Sequence, residues 1–259
     1  MTAVLYEKRG NIAYVTINRP EAMNALNREV QQGLTDAWQE IESDPDIFVA
    51  ILTGTGGRAF SAGADLKTVE TGEDSGESPI PVPRASRSLG PSVRELSKPV
   101  IAAIDGYCLA GGLELALACD IRIATEGSQF GCPEVKWSLL HGFGAQIMPF
   151  TVHMSNMMEL LLTGEFVDAQ EAYRIGLISR VVSKGEHIST AEEITEKICR
   201  NAPLAIRATK ELAQKRVSQG LEEGMRLYST LGRLLRTTDD AKEGPRAFAE
   251  KRSSNFKGR

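Results

Sequence analysis

The spacing of the hydrophobic positions changes along the chain, and each spacing predicts one kind of element. Residues 4–7 and 12–17 are two short strand-like runs separated by a turn, which is typical of neighbouring β-strands. In residues 26–41, apolar side chains recur every three or four positions, which predicts an amphipathic helix. Asn24 and Asn27 are both candidates for its N-terminal cap, because a short side-chain oxygen there accepts a bond from the first helical N–H groups.

Three later runs have the length of strands. Residues 48–53 and 99–104 are almost continuously apolar, as strands covered on both faces are, and residues 121–124 (IRIA) form a third strand-like run. Small-residue junctions follow the first two runs, and helical stretches come after the junctions. This succession of strand, junction, helix and strand predicts an α/β fold built from stacked βα units.

Beyond residue 150, the pattern predicts almost only helices. Ser189 or Thr190 is expected to cap one helix, because both are good capping residues just before an apolar periodic run. Pro203 is expected to begin the next helix, where its missing N–H is not needed. The apolar positions in residues 221–235 predict a third helix.

These patterns divide the chain into two predicted parts. We expect a core at residues 1–195 and a helical C-terminal domain at residues 196–259. Residues 72–92 are rich in Gly, Pro and Ser, so we expect an irregular loop or lid inside the core.

Composition narrows the function classes. The 259 residues carry a net charge of −4, which argues against nucleic acid as the main partner. No stretch approaches the roughly 20 apolar residues that span a bilayer, and the N-terminus does not resemble a signal peptide. The four cysteines form no CxxC pair, which favours free thiols in a reducing compartment. With only three histidines we expect no metal site, and we expect a cytoplasmic protein without a membrane or nucleic-acid partner.

Two junctions of small residues are candidates for chemistry. Residues 61–65 (SAGAD) and 110–113 (AGGL) each follow a predicted strand and precede a predicted helix. The first N–H groups of a helix lack partners, so two such junctions facing one cavity would form an oxyanion hole for a carbonyl oxygen. For either junction alone, close helix–strand packing is the better explanation.

Two glutamates strengthen the chemical interpretation. Glu114 lies in an apolar helical stretch, and Glu134 follows the turn FGCP at residues 130–133. Alone, Glu114 is better explained as a hydrogen-bonded structural acid and Glu134 as a solvated turn residue. Together in a partly dry site, two carboxylates shift each other's proton affinity and can provide one acid and one base.

These segments resemble the crotonase (enoyl-CoA hydratase/isomerase) superfamily. Residues 59–67 (AFSAGADLK) and 101–116 (IAAIDGYCLAGGLELA) carry the resemblance, and residues 130–134 and 240–252 match as well. It extends from about residue 18 to the C-terminus. It implies a crotonase-like α/β spiral of repeated ββα units with a C-terminal helical annex that serves oligomerisation, in a homotrimer or homohexamer.

The resemblance also implies roles for particular residues. The backbone N–H groups of Ala62 and Gly111 would hold the thioester carbonyl. Glu134 would exchange a proton with the α-carbon, while Glu114 would hold and activate a water molecule. No cofactor would be bound permanently, because coenzyme A arrives as part of the acyl-CoA substrate. The CoA-binding residues would be Ala62, Gly63, Ala64, Asp65, Leu66, Lys251 and Lys257.

The implied function is an enoyl-CoA hydratase of fatty acid metabolism, a lyase that adds water reversibly to a 2,3-enoyl-CoA. A double-bond isomerase or another CoA-thioester lyase is the first alternative, and a non-catalytic RNA-binding or scaffold relative is the second. The sequence departs from the family where a Pro-Gly-Ala-Gly-Gly-like turn is usual. Here His141 and Phe143 add bulk and a titratable ring, and we expect both to face a loop or another subunit rather than the substrate.

Overall fold

The computed structural model describes residues 2–65, 93–137, 139, 141–219 and 221–259, so the predicted loop at 72–92 lies outside the described residues. The strands are β1 (Val4–Arg9), β2 (Ile12–Ile17), β3 (Val49–Gly54), β4 (Ala59–Ser61), β5 (Val100–Ile104), β6 (Tyr107–Leu109), β7 (Ile121–Thr125), β8 (Gln129–Gly131), β9 (Phe166–Asp168) and β10 (Arg180–Val182). The main helices are α1 (Arg28–Ser43), α2 (Gly111–Ala118), α3 (Gly142–Ile147), α4 (Met154–Thr163), α5 (Ala169–Arg174), α6 (His187–Cys199), α7 (Pro203–Gln219), α8 (Leu221–Arg236) and α9 (Asp239–Ala249).

The larger sheet has the order β1-β2-β3-β5-β7-β10. The β1–β2 pair is antiparallel, as the short turn between the two strands requires, and the other pairs are parallel. All five residues of β5 are buried, which confirms the prediction of a strand covered on both faces. Parallel pairing needs long crossovers, and these supply the helices of the α/β fold.

A second sheet, of order β4-β6-β8-β9, was not predicted. Its strands have only three residues each, too few to show a period. Strands β5 and β6 are joined by a tight turn in which Gly106 has φ +79°, and a Cβ there would lie 2.2 Å from the Arg58 carbonyl oxygen. Two strands followed by a helix therefore form the repeating unit, as the ββα spiral predicts.

Of the two candidate caps of α1, Asn27 is the real one. Its side chain accepts a bond from the Val30 N–H at 3.0 Å. Asn24 instead has a left-handed backbone, with φ 55°, and its buried amide donates to the carbonyls of Thr55 and Ala59. Asn24 thus ties the entrance of α1 to the turn between β3 and β4.

The second half of the chain is less purely helical than predicted, because β9 and β10 add one strand to each sheet. The prediction of a cap at Ser189 or Thr190 was wrong. Helix α6 begins at His187, its N-cap Glu186 makes no side-chain capping bond, and the Ser189 hydroxyl donates to the Glu186 carbonyl within the first turn. The predicted starts of α7 and α8 are confirmed.

Residue 195, where we expected the core to end, lies inside α6. The buried face of this helix, with Ala191 and Ile194, packs on the larger sheet. Helix α7 is tied to the core by Lys210, whose ammonium donates to the Lys98 carbonyl and to Asp120, both at 2.8 Å. The division of the chain into two domains stays a prediction. No helix among the described residues has the length and apolar character needed to cross a bilayer.

Candidate active site

The two small-residue junctions lie against each other. Gly63 has φ +92°, and a Cβ there would lie 2.7 Å from the Cβ of Ala110 and 3.0 Å from the Gly111 nitrogen. A Cβ on Gly112 would lie 2.3 Å from the Ser61 carbonyl oxygen. Both glycines are therefore needed for close packing, and that packing brings the two strand ends to one place.

The donor predicted in the first junction was wrong. The N–H of Ala62 donates to the Met23 carbonyl at 3.0 Å, so it is not available to a ligand. The neighbouring N–H groups of Gly63 and Asp65 are also used, by the Ser61 hydroxyl and the Leu26 carbonyl. Ala64 is different: within the described part of the chain its N–H has no acceptor, and its nitrogen would lie 3.7 Å from a Cβ built on Gly111.

The donor predicted in the second junction is in the first turn of α2. The first α-helical bond runs from the Glu114 N–H to the Ala110 carbonyl, so the N–H of Gly111 precedes the helical ladder. Ala110 has φ 50° and ψ −128°, an unfavourable backbone conformation for a residue with a side chain. This conformation turns the chain so that α2 begins against the first junction, where the Gly111 nitrogen would lie 3.0 Å from a Cβ built on Gly63. Ala64 and Gly111 are thus the candidate pair of donors.

Glu114 lies on α2 and is partly buried. Its Oε1 accepts a bond from the Gly144 N–H at 3.0 Å, in the first turn of α3. A carboxylate at a helix start is stabilised by the unpaired N–H groups there. This bond orients Glu114, which lies in an otherwise apolar stretch of α2.

Glu134 is not the solvated turn residue that it would be by itself. It stands in the 3₁₀ helix Pro133–Trp137, and its side chain is 12% exposed. Oε1 lies 2.6 Å from Nδ1 of His141, while Oε2 is buried without a partner in the described residues. The expectation that His141 faces a loop or another subunit was wrong, because its side chain is 2% exposed and contacts Glu134.

The two glutamates are linked through the turn at residues 141–144, because Gly144 bonds to Glu114 and packs against the His141 ring that contacts Glu134. Burial raises the pKa of the Cys132 thiol, and the negative charges of Glu134 and Glu114 raise it further. Both carboxylates are thus close enough to act electrostatically on a single group. Paired carboxylates of this kind can share the acid and base work of one reaction.

The remaining predicted CoA-binding residues lie in separate parts of the structure. Asp65 is ion-paired with Arg19, with 3.1 Å between Nη2 and Oδ2. Lys251 and Lys257 are exposed on the C-terminal tail, and the backbone N–H of Lys257 donates to Asp240 on α9. Leu66 lies outside the described residues.

A cavity of about 650 Å³ lies between α7, α8 and residues 94–97. Phe143 is among the residues that line it, and it also packs against the main hydrophobic core. The next residue in the chain, Gly144, donates its N–H to Glu114, so this turn joins the cavity to the glutamate pair. Leu231, Leu234 and Leu235 supply an apolar wall from α8.

A spiral of ββα units with backbone donors beside two partly buried glutamates defines the class: an enzyme of the crotonase type. The chain belongs to the enoyl-CoA hydratase/isomerase family, whose sequence model matches residues 7–259.

Its relatives match it over nearly their whole length. It is 42% identical to (E)-benzylidenesuccinyl-CoA hydratase of Thauera aromatica, over 98% of this chain and 99% of that one. It is 38% identical to the short-chain-enoyl-CoA hydratase of Clostridium acetobutylicum, over 99% and 98% of the two chains. The crystal structure of an enoyl-CoA hydratase from Mycobacterium marinum superposes with a TM-score of 0.90, at 38% identity and full coverage of both chains.

Proposed function

We propose that this chain is an enoyl-CoA hydratase, which adds water reversibly across the C2–C3 double bond of an enoyl-CoA thioester. The observation that carries the proposal is the pair of Glu114 and Glu134, each oriented by a hydrogen bond within one environment. Relatives named as hydratases, at 38–42% identity over nearly the full chain, support the same reaction.

The backbone donors polarise the thioester. The N–H groups of Ala64 and Gly111 hold the carbonyl oxygen, which draws electrons away from C3 and makes it electrophilic. When water adds at C3, negative charge develops on that oxygen, and the two donors stabilise the enolate. Removing one donor of an oxyanion hole typically costs about 10²–10³ in turnover.

The two glutamates divide the proton transfers. Glu114, held by Gly144, orients the water and accepts its proton as the oxygen bonds to C3. Glu134, protonated on Oε2, delivers that proton to C2, which completes the addition. Glu114 then gives up its proton and Glu134 regains one through solvent, which restores the starting state. The reverse sequence removes the C2 proton and expels water. Because the backbone donors supply the polarisation and the two glutamates the proton transfers, we propose no permanently bound cofactor.

Coenzyme A enters as part of the substrate. We propose that residues 62–66 contact its adenine and pantetheine, and that Lys251 and Lys257 meet its phosphates. The acyl group would extend toward the cavity lined by Phe143. Its volume of about 650 Å³ would hold an acyl chain or ring against the leucines of α8, while Arg94, Arg207 and Lys210 line other parts of the wall.

Assembly follows from the same proposal. We propose a homotrimer or homohexamer in the cytoplasm, joined through the helical C-terminal part of residues 196–259. Light scattering with sedimentation tests this, since a monomer at micromolar concentration would contradict it.

A double-bond isomerase of the same family is the alternative function. Moving a proton between C2 and C4 needs a single acid/base, and Glu134, whose buried Oε2 has no partner among the described residues, supplies one. The second glutamate, Glu114, favours hydration because it provides a place for water.

The test is a substrate panel with the purified protein. We expect loss of the enoyl absorbance with straight, branched or aromatic 2-enoyl-CoA esters, and a 3-hydroxyacyl-CoA product. Glu134→Gln should abolish exchange of the C2 proton with solvent deuterium, and Glu114→Gln should abolish hydration. Glu126→Gln, at an exposed turn, is the matched control. No turnover with any enoyl ester would overturn the proposal, and a shifted double bond without hydration would establish the isomerase.

A further inference from the structure

His141, at the turn that leads into α3, contacts Glu134. The two side chains are 2% and 12% exposed, and Nδ1 lies 2.6 Å from Oε1. That distance is at the short end of the range for hydrogen bonds in proteins. Nothing in the catalytic scheme above uses this histidine.

The backbone brings the two side chains of this pair together. Glu134 lies in a 3₁₀ helix and His141 is the N-cap of α3, seven residues further along the chain. The Leu139 N–H donates to the Glu134 carbonyl at 2.9 Å, which closes the turn between them. This bond links Glu134 to a residue that comes two positions before His141.

The surroundings of the imidazole indicate which of its two nitrogens carries the proton. Nε2 is buried without a partner among the described residues, and a Cβ on Gly144 would lie 2.0 Å from it. A proton on Nε2 would be an unpaired buried donor, which is costly. The hydrogen-bond network thus assigns the proton of the neutral ring to Nδ1, which donates it to Oε1 of Glu134.

We propose that His141 is a positioning residue for the reaction of Glu134. By holding Oε1, it leaves Oε2 as the oxygen that faces the α-carbon of the substrate. The same turn supplies the Gly144 N–H that holds Glu114, so one short segment sets the orientation of both carboxylates. The inference rests on the proposed function, because it assigns His141 a part in the proton transfer at C2.

Three variants test the proposal. His141→Ala removes the donor, while His141→Asn keeps an amide N–H close to the position of Nδ1. His153→Asn, at the exposed N-cap of α4, is the matched control. Because small misplacements of a catalytic group cost up to about 10² in rate, we expect His141→Ala to lose about ten- to a hundred-fold in kcat with KM within about three-fold of the wild type.

We expect His141→Asn to recover most of that loss, and His153→Asn to behave as the wild type. The rate of C2 proton exchange should follow kcat across the series. Unchanged kcat and exchange in His141→Ala would overturn the proposal, as would equal losses in the Ala and Asn variants. Thermal unfolding of each variant separates these outcomes from a folding defect.

Crystal structures distinguish this inference from the proposed function. If the wild type hydrates no enoyl-CoA, the proposed function fails, but the orientation of Glu134 can still be compared in the wild type and His141→Ala. A carboxylate that rotates away from its wild-type position supports the positioning role. A carboxylate that stays in place overturns it, whatever the activity.

Discussion

Gly144 donates its backbone N–H to Glu114 at 3.0 Å and packs its Cα face against the ring of His141. Through these two contacts, a residue without a side chain lies between both glutamates of the candidate site. The first contact orients Glu114 directly, and the second leaves room for the imidazole that holds Glu134. The turn at residues 141–144 is therefore the structural link between the two carboxylates.

Gly144→Ala should disrupt both glutamates at once. A Cβ there would lie 2.0 Å from Nε2 of His141, so the ring must move away from Glu134. We expect a loss of stability of about 1–3 kcal/mol, typical of overpacking, and a fall in kcat larger than that of His141→Ala. Chemical denaturation and steady-state kinetics measure the two effects.

The matched control for this variant is Gly142→Ala, two residues earlier on the same helix. A Cβ at Gly142 meets nothing within 4 Å in the described part of the chain. This variant should keep wild-type kinetics, and a comparable loss in both variants would show that the helix, not the contact with His141, is responsible.

Gly63→Ala should separate the two backbone donors. The new Cβ would lie 2.7 Å from the Cβ of Ala110 and 3.0 Å from the Gly111 nitrogen, and the residue has φ +92°. We expect destabilisation of more than about 1 kcal/mol together with a loss of turnover of about 10² or more, because Ala64 and Gly111 would no longer point to one oxygen.

Gly185→Ala is the control that separates two effects in Gly63→Ala: the cost of a side chain at positive φ and the clash of the new Cβ with the second junction. Gly185 has φ +87°, close to that of Gly63, but a Cβ there meets nothing within 4 Å. It should lose stability through its backbone alone and keep its turnover. Equal effects of the two substitutions on kcat would contradict the contact between the junctions as the reason.

Phe143→Ala should change the acyl preference rather than the chemistry. The ring lines the cavity of about 650 Å³, so its removal enlarges the space available to the acyl group. We expect kcat/KM to shift toward longer or bulkier enoyl esters, while C2 proton exchange stays within about three-fold of the wild type. Phe150→Ala, which removes an exposed ring, is the control. An unchanged substrate profile in Phe143→Ala would show that the acyl group does not bind in this cavity.

The thiols should resist alkylation in the folded protein. Burial raises the pKa of Cys119 to about 12, and it also raises the pKa values of Cys108 and Cys132. Partial burial raises the pKa of Cys199 as well. Raised pKa values leave little thiolate at about pH 8, so modification should be slow and should quicken as the pH rises.

In denaturant, all four thiols should react with a thiol reagent, since all are free. In the native protein, the half-buried Cys199 should react first, and peptide mapping identifies the modified residue. Rapid native modification of Cys132 would show that the environment of the two glutamates is open to solvent.

The sequence by itself determined the parts of the fold that depend on local periodicity. The strands β3 and β5 and the amphipathic α1 follow from local patterns of apolar residues, and β7 follows from a strand-like run of the same length. The short strands β4, β6 and β8 do not, because three residues carry no period and their pairing is set by neighbouring segments. The small-residue junctions could be located in the sequence, since closely packed backbones need glycine.

Which groups of those junctions are free was decided only by the tertiary structure. Ala62 and Ala64 are alike in sequence, but the carbonyl of Met23 takes the N–H of Ala62 and leaves that of Ala64 without an acceptor in the described residues. The partner of Glu134 was likewise undetermined until the turn brought His141 to 2.6 Å. A residue type shows what a group can donate or accept, whereas its partner depends on which distant segment the folded chain places beside it.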